Sequence, residues 1–380
     1  MKKLRIVFFS TPAYGHMNCA MPVIKRLSDR GHSIIICGTP KFKNMIESTG
    51  AKYSEYPVDL DSKLDLEKAT SNFYELFRTL SNLNKRMYLY YLTKTTHLAP
   101  DIILYDSMCG FAKDIGAKLK IKHICLCTTM AYNNFVFAFS NMLPSTIKLI
   151  GQQGHGFYNV IKNDFLFRKR YGIKRRSQVD MFVNSGDKTI VFTPPQLQPF
   201  VHTFPKTFYF VGTTIGDRIK QSAAEYDDYD IYAAFGTIFG RNDMLQKIVS
   251  SGALGNGKMI VLSKAALTDS PNITYAEHTE QLALLPHVKL FINHGGLNSV
   301  YESIWFGVPQ LCIPMQEEQK MTSIIAERKG LSVYLKSVDE NSIRKLVAKA
   351  KSLSNNIKHF SGIMRSYDGT ALAVRIIEDE

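Results

Sequence analysis

Short apolar runs alternate with amphipathic stretches along most of the chain. Residues 4–9, 33–37, 102–105 and 123–127 are near-continuous apolar runs and predict strands. Between them, 20–29, 42–48 and 111–119 carry apolar residues at helical spacing and predict helices. Strands apolar on both sides, in a βαβα rhythm, predict a parallel sheet covered on both faces. Runs at 189–192 and 207–211 read as the last strands of that sheet, with a proline-rich piece (Pro194, Pro195, Pro199, Pro205) between them. Residues 213–228 turn polar and read as a linker. A second βα series begins at 231–235 and continues through 259–262, 272–275 and 288–292. The pattern divides the chain into a domain at 1–212, a linker at 213–228, a second domain at 229–358 and a helical end at 359–380. The expected class is α/β with two Rossmann-like parallel-sheet domains, and no internal repeat is visible.

At 45% hydrophobic and 21% charged residues the chain has the balance of a globular protein. No apolar run approaches the ~20 residues of a membrane-spanning helix. Met1-Lys2-Lys3 leads directly into the first strand, too short a run for a secretory leader. The six cysteines lie mostly in apolar runs, without a C-x-x-C pair. Buried thiols in a reducing cytoplasm are the expectation. The net charge of +14 leaves anionic partners open. One cluster is dense, Arg168-Lys169-Arg170 with Lys174-Arg175-Arg176. It reads as a solvated face, or as a weak contact with anionic membrane or an acidic acceptor. No nucleic-acid fold signature accompanies it, so no nucleic-acid partner is expected.

The densest chemistry lies between 288 and 335. A strand-like run enters His294-Gly295-Gly296, and Asn298-Ser299 can open a helix. A strand running through a glycine turn into a helix N-terminus suits a phosphate, because N–H groups and the helix dipole meet the anion. His294, Asn298 and Ser299 add donors. Glu302 falls on the same helix face and can accept from two ribose hydroxyls. A second strand-turn-helix follows at 308–314, where Glu318 and Gln319 open the next helix and suit sugar hydroxyls. The implied ligand is a sugar carried on a nucleoside diphosphate.

These residues resemble the donor signature of family 1 glycosyltransferases, the UDP-glycosyltransferase superfamily. The pattern H-x-G-x-N-S-x-x-E stands as His294, Gly296, Asn298, Ser299 and Glu302, and P-x-x-x-[DE]-Q as Pro314, Glu318 and Gln319. The N-terminal Thr11-Pro12-Ala13-Tyr14-Gly15-His16 matches as well, and the resemblance covers nearly the whole chain. Bacterial macrolide, flavonoid and phenol glycosyltransferases are similar in character. The resemblance implies the GT-B fold, two Rossmann-like domains facing a cleft, with the C-terminal helix returning to the first domain. It implies inverting transfer of a hexose from a UDP-sugar, or a dTDP-sugar, to a small hydroxylated acceptor, aromatic or macrolide-like. No cofactor or metal is required.

His16 and Asp106 follow strands 4–9 and 102–105, and both belong at the carboxyl edge of the first sheet. On neighbouring strands, Asp106 could fix the tautomer of His16, whose place near a helix start favours the neutral ring. The resemblance makes them a general base and its orienting acid. One departure is Cys19, where the family usually has proline. Gly236 and Thr237, after the first strand of the second domain, can add donors to the diphosphate. Ser263 and His278 fall near the place of the base, although histidine is a weaker stacking platform than the family's tryptophan or arginine. Asp228-Tyr229-Asp230 has the form of a D-x-D metal motif but reads as a solvated turn. Aromatic clusters at 72–77, 88–91 and 132–139 read as core or as an acceptor wall. Rival readings are a glycolipid glycosyltransferase at the membrane surface, a sugar-nucleotide epimerase on the same fold, and an inactive binding partner of another transferase.

Overall fold

The protein is described here by a computed structural model covering residues 2–57, 73–139, 142–174, 183–219, 226, 228–235, 246–249, 254–255, 257–263, 270–335 and 340–379. Two compact units emerge: Met1–Thr214 with Asp368–Glu380, and Ile215–Tyr367. The polar stretch expected as a linker is thus divided, because the 3-10 turn Gly216–Arg218 packs into the second unit. The C-terminal expectation also changes. Helix Ser354–Arg365 belongs to the second unit, and only Gly369–Glu378 joins the first.

The first unit holds β1 (Arg5–Phe9), β2 (Ser33–Gly38), β3 (Lys52–Glu55), β4 (Ile102–Asp106), β5 (Lys122–Cys127), β6 (Lys188–Val191) and β7 (Phe208–Phe210) in the order 3-2-1-4-5-6-7. Each neighbouring pair is parallel. Alternate residues feed opposite faces. Ile6, Phe8, Leu104 and Leu126 pack with Ala20, Ile24 and Leu27 of α1 (Tyr14–Asp29) and with the C-terminal helix. Val7, Phe9, Ile103 and Tyr105 pack on the other side with α3 (Phe73–Leu98) and α4 (Gly110–Leu119); α2 is Lys43–Glu47. Here Tyr88 and Tyr91 are fully buried and belong to the core, while Tyr90 of the same aromatic cluster is 47% exposed. α5 (Asn134–Phe139) and the long, kinked α6 (Met142–Tyr171) follow β5.

Arg168, expected as part of a basic surface cluster, is buried in α6. It pairs with Asp114 at 2.8 Å and Asp164 at 2.9 Å. Arg175 and Arg176 lie outside the described residues. All six cysteines are buried, and none forms a disulfide. No helix among the described residues is long and apolar enough to cross a membrane.

The second unit holds β8 (Ile231–Ala234), β9 (Met259–Leu262), β10 (Ile273–Ala276), β11 (Leu290–Asn293), β12 (Gln310–Cys312) and β13 (Val333–Tyr334), parallel and ordered 10-9-8-11-12-13. Its described helices are α7 (Gln281–Leu284), α8 (Leu297–Phe306), α9 (Glu317–Arg328), α10 (Glu340–Ser352) and α11 (Ser354–Arg365); α12 is Gly369–Glu378. Strand order reverses between β1 and β4 in one sheet and between β8 and β11 in the other. Helices leave opposite faces at such points, so a crevice opens at the carboxyl ends of those strands.

Candidate active site

At the first reversal, the chain leaves β1 through Thr11-Pro12. Proline keeps Thr11 extended, and α1 starts at Tyr14, earlier than the expected residue 20. His16 therefore sits in the first turn of α1. Cys19 is buried, and the helix continues through it. Asp106 is the last residue of β4, the strand beside β1. His16 Nδ1 lies 2.8 Å from Asp106 Oδ2. Thr128, just past β5, donates its hydroxyl to the same Oδ2 at 2.8 Å, and its Oγ1 lies 2.7 Å from Nδ1. Thr11 and the Met108 N–H donate to Oδ1 at 2.7 and 2.9 Å.

Asp106 is 1% exposed. Burial works against its charge, but the adjoining His16 ring, the Met108 N–H and the Thr11 hydroxyl outweigh it and hold the carboxyl below its ordinary range. An anionic Asp106 accepts from Nδ1–H, which leaves Nε2 as the ring's basic nitrogen.

At the second reversal, β11 runs into His294. Gly295 takes φ +76°, and its N–H donates to Asn293 Oδ1 at 2.7 Å. A side chain at Gly296 would collide with the His294 ring, so this turn requires glycine at both positions. α8 starts without a side-chain cap. His294 Nδ1 is buried without a hydrogen-bond partner. Burial lowers the ring's pKa to about 4, against an opposing hydrogen bond to the Ala234 backbone. His294 is thus neutral at neutral pH, with its one N–H engaged by the Ala234 carbonyl, and supplies no positive charge.

Glu302, one turn into α8, is 3% exposed. Arg218 donates to its Oε1 at 2.6 Å and Gln281 to its Oε2 at 2.5 Å. Gln281 also reaches Ser299 Oγ at 3.4 Å. Arg218, Gln281, Thr128 and Thr11 were not singled out from sequence as site residues. Each meets its partner across many intervening residues, and only Thr11 falls within a matched sequence pattern.

The remaining candidates divide. Ser263 follows β9 and His278 follows β10, both at the carboxyl edge. The His278 side chain is 84% exposed and faces Glu280 at 3.5 Å. Gln319 closes a capping box at the start of α9, accepting from the Met315 and Gln316 N–H groups at 2.9 and 3.2 Å. Its amide oxygen is therefore committed to the backbone, while Glu318 is exposed beside it. Asn298 sits in the first turn of α8. Gly236 and Thr237 lie outside the described residues. Asp230 precedes β8, at the opposite end of the sheet, and pairs with Lys289 at 2.7 Å. Among the described residues, no group of three or more His, Cys, Asp or Glu could hold a metal ion.

The UDP-glucoronosyl and UDP-glucosyl transferase family model matches residues 270–367, the segment that carries α8 and α9. Over nearly its whole length the chain is similar to the NDP-glycosyltransferase YjiC of Bacillus subtilis, at 27% identity across 96% of each chain. It is also similar to the oleandomycin glycosyltransferase of Streptomyces antibioticus, at 21% identity across 99% of this chain and 90% of the relative. Among solved structures, the glycotransferase of kitacinnamycin superposes with a TM-score of 0.83 at 19% identity, covering 100% of this chain and 99% of the other. That likeness carries the fold, which is GT-B. Residues 270–367 thus match the UDP-glucoronosyl and UDP-glucosyl transferase family, and over nearly its whole length the chain is similar to glycosyltransferases.

Proposed function

We propose that the protein transfers a hexose from a UDP- or dTDP-sugar, with inversion, to a hydroxyl of a small lipophilic acceptor such as a natural product or phenol. The observation that carries this reading is the His16–Asp106–Thr128 arrangement at the carboxyl edge of the first sheet. His16 Nε2 takes the acceptor's hydroxyl proton, and Asp106 stabilises the imidazolium that forms. The acceptor oxygen attacks the anomeric carbon from the side opposite the diphosphate, so configuration inverts in one displacement.

The donor falls to the second unit. The start of α8, with Gly296, Asn298, Ser299 and the neutral His294, meets the diphosphate. Gly236 and Thr237 are assigned to the same phosphates. Glu302 accepts from the ribose hydroxyls, held in place by Arg218 and Gln281. Each of its oxygens has a lone pair beyond the one those donors use. Ser263 and His278 border the nucleobase. Glu318 and the amide nitrogen of Gln319 face the sugar. For the acceptor, α5 offers Phe135 and Phe139, which are 52% and 63% exposed; the Phe139 ring lies 5.7 Å from that of Phe200. The oleandomycin in the name of the Streptomyces relative supports a small-molecule acceptor.

His16→Ala is expected to lower turnover by at least ~10²-fold, on the usual worth of a general base, with nucleotide affinity unchanged. Steady-state kinetics beside calorimetric titration of UDP separates the two effects. Turnover close to wild type would remove His16 from this role.

A further inference from the structure

The outward side of α6 combines groups that a solvated helix face rarely combines. Tyr158, Phe165 and Leu166 are 60%, 46% and 49% exposed. Lys162, Lys169 and Arg170 are exposed among them. These six lie three and four residues apart or side by side, and so share one face. Lys162 Nζ sits 5.9 Å from the centre of the Tyr158 ring, so cation and aromatic ring occupy the same patch. The helix has one acidic residue, Asp164, and it pairs with the buried Arg168. No carboxylate of α6 therefore opposes the three cations.

α3 packs alongside, with Tyr88 against Phe167 and Tyr171 at 5.9 and 6.1 Å. It adds Leu89 and Tyr90, 48% and 47% exposed, with Lys94 5.6 Å from the Tyr90 ring. The one acid of α3, Glu75, is held by Arg78.

We propose that this face of α6, with its neighbours on α3, docks on an anionic membrane surface. Large apolar side chains alternating with long cations suit the boundary between headgroups and acyl chains. Tyrosine, phenylalanine and leucine enter it, while lysine and arginine meet the anionic headgroups. The net charge of +14 adds long-range attraction of the same sign. An acidic macromolecule alone would account for the cations but not for the exposed Phe165 and Leu166. The surface shares Lys169 and Arg170 with the basic cluster at 168–176 but not Arg168, which is committed to Asp114 and Asp164 inside the fold.

Co-sedimentation with vesicles of mixed phosphatidylglycerol and phosphatidylcholine, against phosphatidylcholine alone, tests this. Binding is expected on the anionic vesicles only and should weaken as salt rises. Each cation near such a surface contributes about fivefold, so K162E/K169E/R170E should bind at least ~10²-fold more weakly. Phe165→Ser with Leu166→Ser should remove the part of binding that survives high salt. All substituted positions are exposed, and circular dichroism with thermal unfolding should report an unchanged fold. Equal binding to neutral vesicles would overturn the proposal, as would wild-type binding by the triple variant. So would a dimer in sedimentation that the serine variant dissociates, because a second copy would then cover this face.

Discussion

Glu302 shows how much a single residue's surroundings add to its identity. Its spacing from His294 suggests a ribose acceptor, but nothing local announces Arg218 and Gln281, which hold its two oxygens. Truncation should act on two levels. Glu302→Ala is expected to weaken UDP itself by ~10-fold or more, the usual cost of losing hydrogen bonds to a charged group, because UDP carries the ribose. It also leaves Arg218 without its carboxylate in a half-buried setting, so some stability should go with it. Gln319→Ala should leave UDP affinity nearly unchanged and weaken use of the UDP-sugar. It should also cost roughly 1 kcal/mol through the lost capping box. Calorimetry of both variants with UDP and with UDP-sugar checks the assignment, and equal loss of UDP affinity would reverse it. Asp106→Asn should lower turnover in the direction of His16→Ala, since an amide can favour the wrong imidazole tautomer. His16 and Asp106 were legible because each ends a strand-to-helix transition. Thr128 was not, since a threonine after an apolar strand carries no signal until β5 is known to lie beside β4.

Among elements, the central strands were the easiest to read. Parallel strands buried on both faces must be apolar throughout, as Ile102–Asp106 and Leu290–Asn293 are, apart from their polar last residues. The two long helices were harder. α3 buries Phe77, Leu80, Ser81, Asn84, Met87, Tyr88 and Tyr91, a helical stripe interrupted by polar residues that read as scattered aromatic clusters. α6 hides an arginine on its inner side, where charge patterning alone suggested solvent. That arginine is testable. The side chains of Arg168 and Asp114 are 5% and 11% exposed, and Asp164 and the Lys174 carbonyl complete the guanidinium's bonds. Arg168→Ala strands Asp114 between α6 and α4, and should cost about 3–5 kcal/mol. Arg168→Met combined with Asp114→Leu should cost less than Arg168→Met alone, because no buried charge is then left unpaired. Urea unfolding of the three variants distinguishes the cases. A loss below ~1 kcal/mol for Arg168→Ala would mean that water reaches the carboxylate.

For the whole molecule, one histidine ties stability, pH and ligand together. His294 has a folded pKa of about 4 against an ordinary 6.5, set by burial. As pH falls below 6.5 the unfolded chain takes up the proton first, while the folded ring stays neutral until about 4. Stability is therefore full above 6.5 and declines across that window, by roughly 3 kcal/mol in total. The chain's one tryptophan, Trp305, is buried in the same helix that His294 precedes, so its fluorescence follows unfolding of this unit. Urea transitions read by Trp305 should move to lower urea as the pH drops, and His294→Gln should flatten that dependence. A nucleotide adds a second effect. UDP at a hundredfold excess over its dissociation constant stabilises by ~2.7 kcal/mol at any one pH. If its phosphates lie against His294, they also favour the imidazolium and raise the folded pKa toward 6.5. The gap between folded and unfolded values then narrows, and saturating UDP should reduce the acid sensitivity as well as shift the whole curve. A parallel shift, with the same pH dependence with and without UDP, would place the phosphates away from His294. A slope unchanged in His294→Gln would assign the acid sensitivity to other groups.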